Sequence, residues 1–547
     1  MLSADNVKSI YETHKARWDA QKATMRKLKA AYMTRFWGDD SDMTRTEVPK
    51  AYAVIESYLG SLYSKNPAVA LGDDLRGRGN PEVAQATANL FLANVRPQIE
   101  DATRLALIFP CAFLKLSPVN SVDPLKRVVA SALPPWEVIV DLTAGSWDDQ
   151  RYVGHIGMIP VTEASEIYET SQADFSGQTY KKFLDADTTS REESDVESWI
   201  TTVEIYDLID DRMLVWSPDY MNGDDFLFSG VTLQTGALDP DLVDGTRDEQ
   251  AEDIEVFTTG IPFKSASGRP IVPIVPVYFS RDPETPLLGY SLIGRIYDQI
   301  REINLLRSYQ AAGVRRMARQ YLVREGFLDD EAVAKITQGI DGEIITVSLQ
   351  PGQDLTDSMV AVPNSPIPAD IERYAATVEN DLNAAGVLAP FTRGEVRKST
   401  ATEQNLLASY TSSEIGRMAR TRDGAISDIA RVYNTVLAVI LGDEAEPLAL
   451  PNPVGPTMLS AEDLTGDFTY IAVDSGSTPA SDSVKQNNFV QLIPSLVQLG
   501  VDPAKVREEL IRLFKLPESF NEVVEPPMEE APMEEAPMEE APQDLPL

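Results

Sequence analysis

One stretch limits what this 547-residue chain can become: Ser291 to about Gln320, SLIGRIYDQIREINLLRSYQAAGVRRMARQ. Apolar residues recur at Leu292, Ile296, Ile300, Ile303 and Leu306, spacings of three and four that place them on one face of a helix. No proline interrupts it, and a helix of roughly thirty residues is on the order of 45 Å long. The other faces carry Arg295, Arg301, Arg307, Arg315, Arg316 and Arg319 against only Asp298 and Glu302. The segment is thus net basic inside a protein of formal charge −37. A long rod with one apolar stripe and cationic flanks suits packing beside copies of itself around something anionic.

Composition narrows the class further. Apolar content of 43% and charged content of 24% are those of a soluble globular protein, and the length predicts two to four domains. No run of eighteen apolar residues predicts a membrane span, and the N-terminus lacks the apolar core of a signal peptide, so synthesis in the cytoplasm is expected. The single cysteine, Cys111 in LALIFPCAFLKL, reads as core. His14 and His155 stand far apart with no Cys or Glu at ligand spacing, so no zinc site is expected. The acid pairs Asp73-Asp74, Asp148-Asp149, Asp210-Asp211, Asp224-Asp225 and Asp329-Asp330 lack the histidine or spaced third acid that a nuclease needs. Phosphate-loop, dinucleotide and nucleophile-elbow patterns are missing too, which predicts no catalytic residue, metal or cofactor. The acidity argues against coating nucleic acid, which requires a basic footprint. It fits a wall that DNA slides past, and equally a charge that only confers solubility.

In chain order, residues 5–37 read as a charged helix or helix pair with Trp18, Met25, Leu28 and Tyr32 on one side. Ala51–Leu62 is a second helix, ended by a turn at SKNPAV. Asn80 caps a third with Pro81 in its first turn, and Gln98–Phe109 is a fourth. Strands follow at Phe113–Leu116, Arg127–Val129, Val138–Val140 and Arg151–Ile159, then a brief helix at Thr162–Thr170. More strands are predicted at Trp199–Ile209, Arg212–Trp216 and Ile254–Phe257, with a long loop or insertion across 217–253. Ile271–Phe279 leads into the basic helix. Beyond it come a strand at Tyr321–Val323, a helix at Asp329–Thr337 and a strand at Glu343–Val347. Pro368–Leu388 is helical, with Ile371, Tyr374, Val378, Leu382 and Ala385 on one face. APFTRGEVRKST carries Arg393, Arg397 and Lys398 against Glu395, and a capping box at Thr400–Glu403 opens a helix to about Leu441. A strand at Tyr470–Val473 and two helices, 483–499 and 503–514, precede three PMEEA repeats of disordered composition.

This order resembles the portal, or head-to-tail connector, proteins of tailed bacteriophages over roughly residues 5 to 520. The landmarks are AYAVIESYLGSLYSKNPAV, LALIFPCAFLKL, PPWEVIVD, LLGYSLIGRIYDQIREINLLRSYQ, EIITV, GVLAPFTRG and STATEQNLL. The resemblance implies an α+β portal-like fold assembling as a ring. Its parts would be a wing at 1–285, a descending stem helix at 286–320, a clip at 321–367 and an ascending stem helix at 368–388. A tunnel loop at 389–400, a long wing helix and returning wing segment at 401–482, a crown at 483–520 and an acidic tail at 521–547 complete it. A dodecamer at one capsid vertex of the virion, assembled in the host cytoplasm, is implied. Its partners would be double-stranded DNA, the terminase large subunit, a head-tail adaptor and a major capsid or scaffolding protein, with no membrane and no catalysis of its own. Arg393, Arg397 and Lys398 would then face DNA. For Arg301, Arg307, Arg315, Arg316 and Arg319 two roles stay open, contact with DNA phosphates or pairing with acids of neighbouring subunits. The rival readings are a virion scaffold or minor capsid protein without a channel, and a hydrolase with an unrecognised site.

Overall fold

The computed structural model describes residues 2–37, 45–72, 78–180, 183–184, 198–221, 226–229, 231–235, 254–258, 260–265, 267–285, 287–316, 321–323, 359–361, 369–385, 401–442, 445–450 and 454–473. Among these, helix makes up 48% and strand 21%. Every strand pair is antiparallel, so the class is α+β rather than α/β. The predicted elements at 329–337, 343–347, 483–499 and 503–514, the loop 389–400 and the PMEEA tail lie outside the described residues.

Helices begin where the chain supplies caps. Ser3 accepts from Asn6 N and opens α1, Ala4–Tyr32, one continuous helix that buries Val7, Trp18, Met25 and Leu28. After α2, Lys50–Leu62, the Asn80 side chain accepts from the amides of Glu82 and Val83 to cap α3, Pro81–Asn94. Pro97 marks the division between α3 and α4, Arg96–Ile108: it sits in the first turn of α4, where its missing N–H costs nothing, and Val95 alone joins the two helices.

Between α2 and α3 lies β1, Ala68–Gly72, where the sequence predicts only a turn. Its partner is β16, Thr469–Val473, some 400 residues away. On the other edge, side chains of α3 satisfy the backbone: Asn89 Oδ1 accepts from Val69 N (2.7 Å), Asn89 Nδ2 donates to Val69 O (3.1 Å), and Gln85 Oε1 accepts from Leu71 N (2.8 Å). Small residues suffice for a strand held that way.

Two larger sheets carry the middle of the chain. One runs β11 (Ile274–Val277), β2 (Ala112–Pro118), β3 (Val128–Leu133). The other runs β4 (Val138–Val140), β5 (Tyr152–Pro160), β6 (Trp199–Asp207), β7 (Arg212–Trp216), β8 (Phe228–Ser229), with α5, Val161–Ile167, following β5. Lys115 of β2 reaches Glu204 Oε2 of β6 (2.5 Å), an ion pair between the sheets. The loop expected across 217–253 is corrected in part: it contains β8 and β9, Val231–Thr235, and β9 pairs with β10, Ile254–Thr258. Its alternating Val-Thr-Leu-Gln-Thr is strand composition hidden among glycines and aspartates. The proline- and glycine-rich residues 443–457, whose composition ends the long helix, also contribute to a hairpin, β14 (Glu446–Ala449) with β15 (Pro456–Leu459).

The basic rod forms as α6, Leu292–Arg316; at 25 residues it is about 37 Å long. Its base is seated rather than free. Ser291, itself buried, donates from Oγ to Ile108 O at the end of α4 (2.6 Å) and accepts from Gly294 N (2.9 Å). Just before it, Gly289 presses against backbone: an added Cβ would collide with the carbonyl oxygens of Pro110 and Ser280. Leu292, Ile296, Ile300 and Ile303 are buried in the chain's own main core with residues of α1, α2 and α4. The apolar stripe, expected to serve packing between copies, is thus occupied within one chain.

The other long helix is α8, Ala401–Leu441. Its segment Ile415–Leu441 has the length and apolar content of a membrane span, but Ile426, Ile429, Tyr433 and Val436 are core residues here, and Tyr433 stacks on Phe91 with ring centres 3.8 Å apart. Within it Arg422 is 1% exposed. Its guanidinium donates to Leu62 O, at the carbonyl end of α2, and to Asp423 Oδ1 (2.9 and 2.5 Å). The short α9, Ala461–Leu464, opens on a capping box at Ser460.

Two substitutions test this frame by denaturant melts. Gly289→Ala should lower stability by about 1–3 kcal/mol or more, because two backbone oxygens must move. Arg422→Met should cost roughly 1–3 kcal/mol by leaving the Leu62 carbonyl buried without a donor. Unchanged midpoints would contradict the packing described.

Candidate functional site

The rod α6 does not stand alone. After it the chain forms β12, Tyr321–Val323, as predicted, pairing with β13, Met359–Ala361, which the sequence does not announce. From β13 the chain returns as α7, Ala369–Ala385, packed antiparallel on α6. Between them runs a groove of about 250 Å³, lined by Ile303, Leu306, Arg307 and Gln310 on one wall and Glu372, Ala375, Ala376 and Glu379 on the other. Val378 and Leu382 are the buried side chains of α7 among the described residues. Tyr374, expected on the apolar face, is 51% exposed, so that face is narrower than its spacing suggests.

A strap locks the pair to the N-terminal helices. Thr46 N donates to Ser308 Oγ (2.9 Å) and Val48 N donates to Asn304 Oδ1 (2.9 Å), Asn304 being buried. Two residues on, Lys50 Nζ forms an ion pair with Glu379 of α7. These contacts join residues more than 250 positions apart, beyond the reach of any local pattern.

The charges of the two rods are opposite. Arg295, Arg301, Arg307, Arg315 and Arg316 stand in α6 against Asp298 and Glu302. In α7 Asp370, Glu372, Glu379 and Asp381 stand against Arg373. Arg301 and Arg307 are exposed, and among the described residues neither has an acidic partner; Arg307 Nη1 donates only to Gln310 Oε1 (3.2 Å). Arg315 and Arg316 belong to the last turn of α6, and their side chains lie outside the described part. Arg319 and the predicted DNA-facing Arg393, Arg397 and Lys398 lie outside the described residues altogether. The structure therefore brings Arg307 to the groove that Glu372 and Glu379 line, and leaves Arg301 exposed on α6.

Other chemically capable groups are structural or clustered elsewhere. Burial pushes the Cys111 thiol up to about 12, which removes it as a nucleophile at neutral pH. Among the described residues no three His, Cys, Asp or Glu side chains gather as metal ligands. Both histidines, however, line one cavity between α1 and β5. His14 Nε2 donates to Trp136 O (2.9 Å), and burial, aided by Arg17, lowers its pKa to about 4. His155 Nδ1 accepts from Lys115 Nζ (3.1 Å), and burial with that ammonium lowers its pKa to about 4 as well. Glu204 beside it would be raised by burial alone, but Lys115 and His155 outweigh that and hold it below the usual carboxylate range.

No protein-family model matches the chain, and no curated protein matches it.

The histidines predict an acid-sensitive fold. An unfolded imidazole titrates near 6.5 and these two near 4, so between those values the unfolded chain binds more protons. Stability is intact above about pH 6.5 and declines as pH falls to about 4, by up to about 3 kcal/mol per histidine. Melting temperatures across that window should fall in the wild type and fall less in His14→Phe and His155→Phe. A flat profile in the wild type would contradict the burial of both rings.

Proposed function

We propose that this protein is a portal protein of the kind found in tailed bacteriophages, a non-enzymatic ring at one capsid vertex through which double-stranded DNA is packaged and ejected. The observation that carries this reading is the α6–α7 pair: a predominantly basic rod packed on a predominantly acidic one, with Arg301 and Arg307 exposed and without acidic partners among the described residues. In a head-to-tail ring each copy offers one face to the neighbour on its left and a different face to the neighbour on its right. Opposite charges on two antiparallel rods suit such a heterologous contact, the guanidiniums of one copy meeting the carboxylates of the next. Sequence order and charge support the remaining roles. Residues 321–367 would form the clip that docks the terminase large subunit and the head-tail adaptor, and Arg393, Arg397 and Lys398 the cationic loop nearest DNA.

The mechanism is electrostatic and mechanical. A net charge of −37 over the chain keeps phosphate from adhering, since binding strength scales with the number of phosphates neutralised. A few cations at fixed positions guide the duplex without holding it. Force for packaging comes from a separate terminase ATPase.

Negative-stain class averages of the purified full chain should show rings with a central hole, and Arg301→Glu combined with Arg307→Glu should shift material from rings to monomers. Addition of the wild-type protein should stimulate terminase ATPase activity, which a scaffold without a channel would not do. Compact monomers under all solution conditions would overturn the proposal.

A further inference from the structure

The cavity between α1 and β5 has the build of a small-molecule site, a feature independent of ring assembly. Its volume is about 440 Å³, within the range of roughly 300–1,000 Å³ typical of ligand pockets. Its walls are aromatic: Trp136 stacks on Phe183 (ring centres 5.1 Å, planes 26° apart) and meets Trp18 edge-on, while Tyr11 stands on the α1 side. Such surfaces favour flat ligands that can stack.

The hydrogen-bonding character of the site follows from what each histidine has already committed. A carbonyl only accepts, so His14 must carry its proton on Nε2, leaving Nδ1 as a lone-pair acceptor. An ammonium only donates, so His155 accepts at Nδ1 and carries its proton on Nε2, a free donor. These two remaining nitrogens have no partner among the described residues, and neither is a sealed, unpartnered atom. Neutral rings at neutral pH keep this donor and acceptor pattern fixed.

Charge at the walls selects further. Aromatic cages often hold cations, but Lys15 Nζ already lies 5.9 Å from the Tyr11 ring centre and Lys22 Nζ 5.1 Å from that of Phe183. A second cation would be repelled. Asp19 and Glu137, also at the cavity, disfavour an anion. What remains is a neutral, planar group that offers one donor and one acceptor along its edge.

We propose that this cavity binds a neutral heteroaromatic ring of the nucleobase class, stacked against Trp136 and hydrogen-bonded to His14 and His155. Titration of the full-length protein with adenosine, followed by tryptophan fluorescence and calorimetry, should give saturable binding at one site per chain. His155→Phe keeps the ring and loses the donor, and His14→Phe keeps the ring and loses the acceptor; each should weaken adenosine binding about tenfold or more. The two variants back each other, so that failure of one to fold leaves the other to decide. Tetramethylammonium, the cation probe, should not compete. Absence of saturable adenosine binding into the millimolar range, binding unchanged in a folded variant, or displacement by tetramethylammonium would overturn the assignment.

Discussion

Ser291 Oγ donates to the last carbonyl of α4 and accepts from the first turn of α6, and those two hydrogen bonds fix where the basic rod leaves the core. Gly289 makes the approach possible by having no side chain to place between the Pro110 and Ser280 carbonyls. With the base held, the apolar stripe of α6 is committed to its own chain, and its cationic side faces outward by geometry. The strap at Thr46–Val48 and the Lys50–Glu379 pair repeat the same principle further along the rod, fastening α6 and α7 to the N-terminal helices. Both rods are thereby tied to the body of the chain at more than one level.

Electrostatics divides along the same line. Inside the subunit, charges are matched: Lys115 with Glu204, Arg127 with Glu446, Arg422 with Asp423. In the α6–α7 pair they are segregated, mainly basic on one helix and mainly acidic on the other, and Arg301 and Arg307 have no acidic partner among the described residues. Exposed pairs are worth little to the stability of a monomer. Under the proposed ring, segregation of sign on adjacent rods would act in association, where complementary faces set partner and register.

Much of this was legible in the sequence wherever local physics decides. The Asn80-Pro81 cap, the Thr400–Glu403 start of a 41-residue helix and the three-and-four spacing from Leu292 to Ile303 each announce an element that forms. Legibility fails where a distant partner decides. Ala68–Gly72, with Ala or Gly at three of its five positions, reads as part of a turn and becomes a strand because β16 and two amide side chains of α3 complete its backbone hydrogen bonds. The Pro447 and Pro456 hairpin reads as a breaker region because its partner strand is itself proline-bearing. For the site, the arginines of α6 were visible as a basic stripe, whereas the facing acids of α7 and the Lys50–Glu379 tie were not. The convergence of His14 and His155 was equally hidden: 141 positions separate them, and only the packing of α1 on β5 brings both to one cavity.

A reconstruction of the purified assembly that locates α6 and α7 relative to any symmetry axis tests the central claim most directly. The account predicts both rods bordering a central passage wide enough for a DNA duplex, with Arg301 and Arg307 of one copy facing the α7 carboxylates of its neighbour. Rods placed on the outer rim, or a closed particle without a passage, would contradict it.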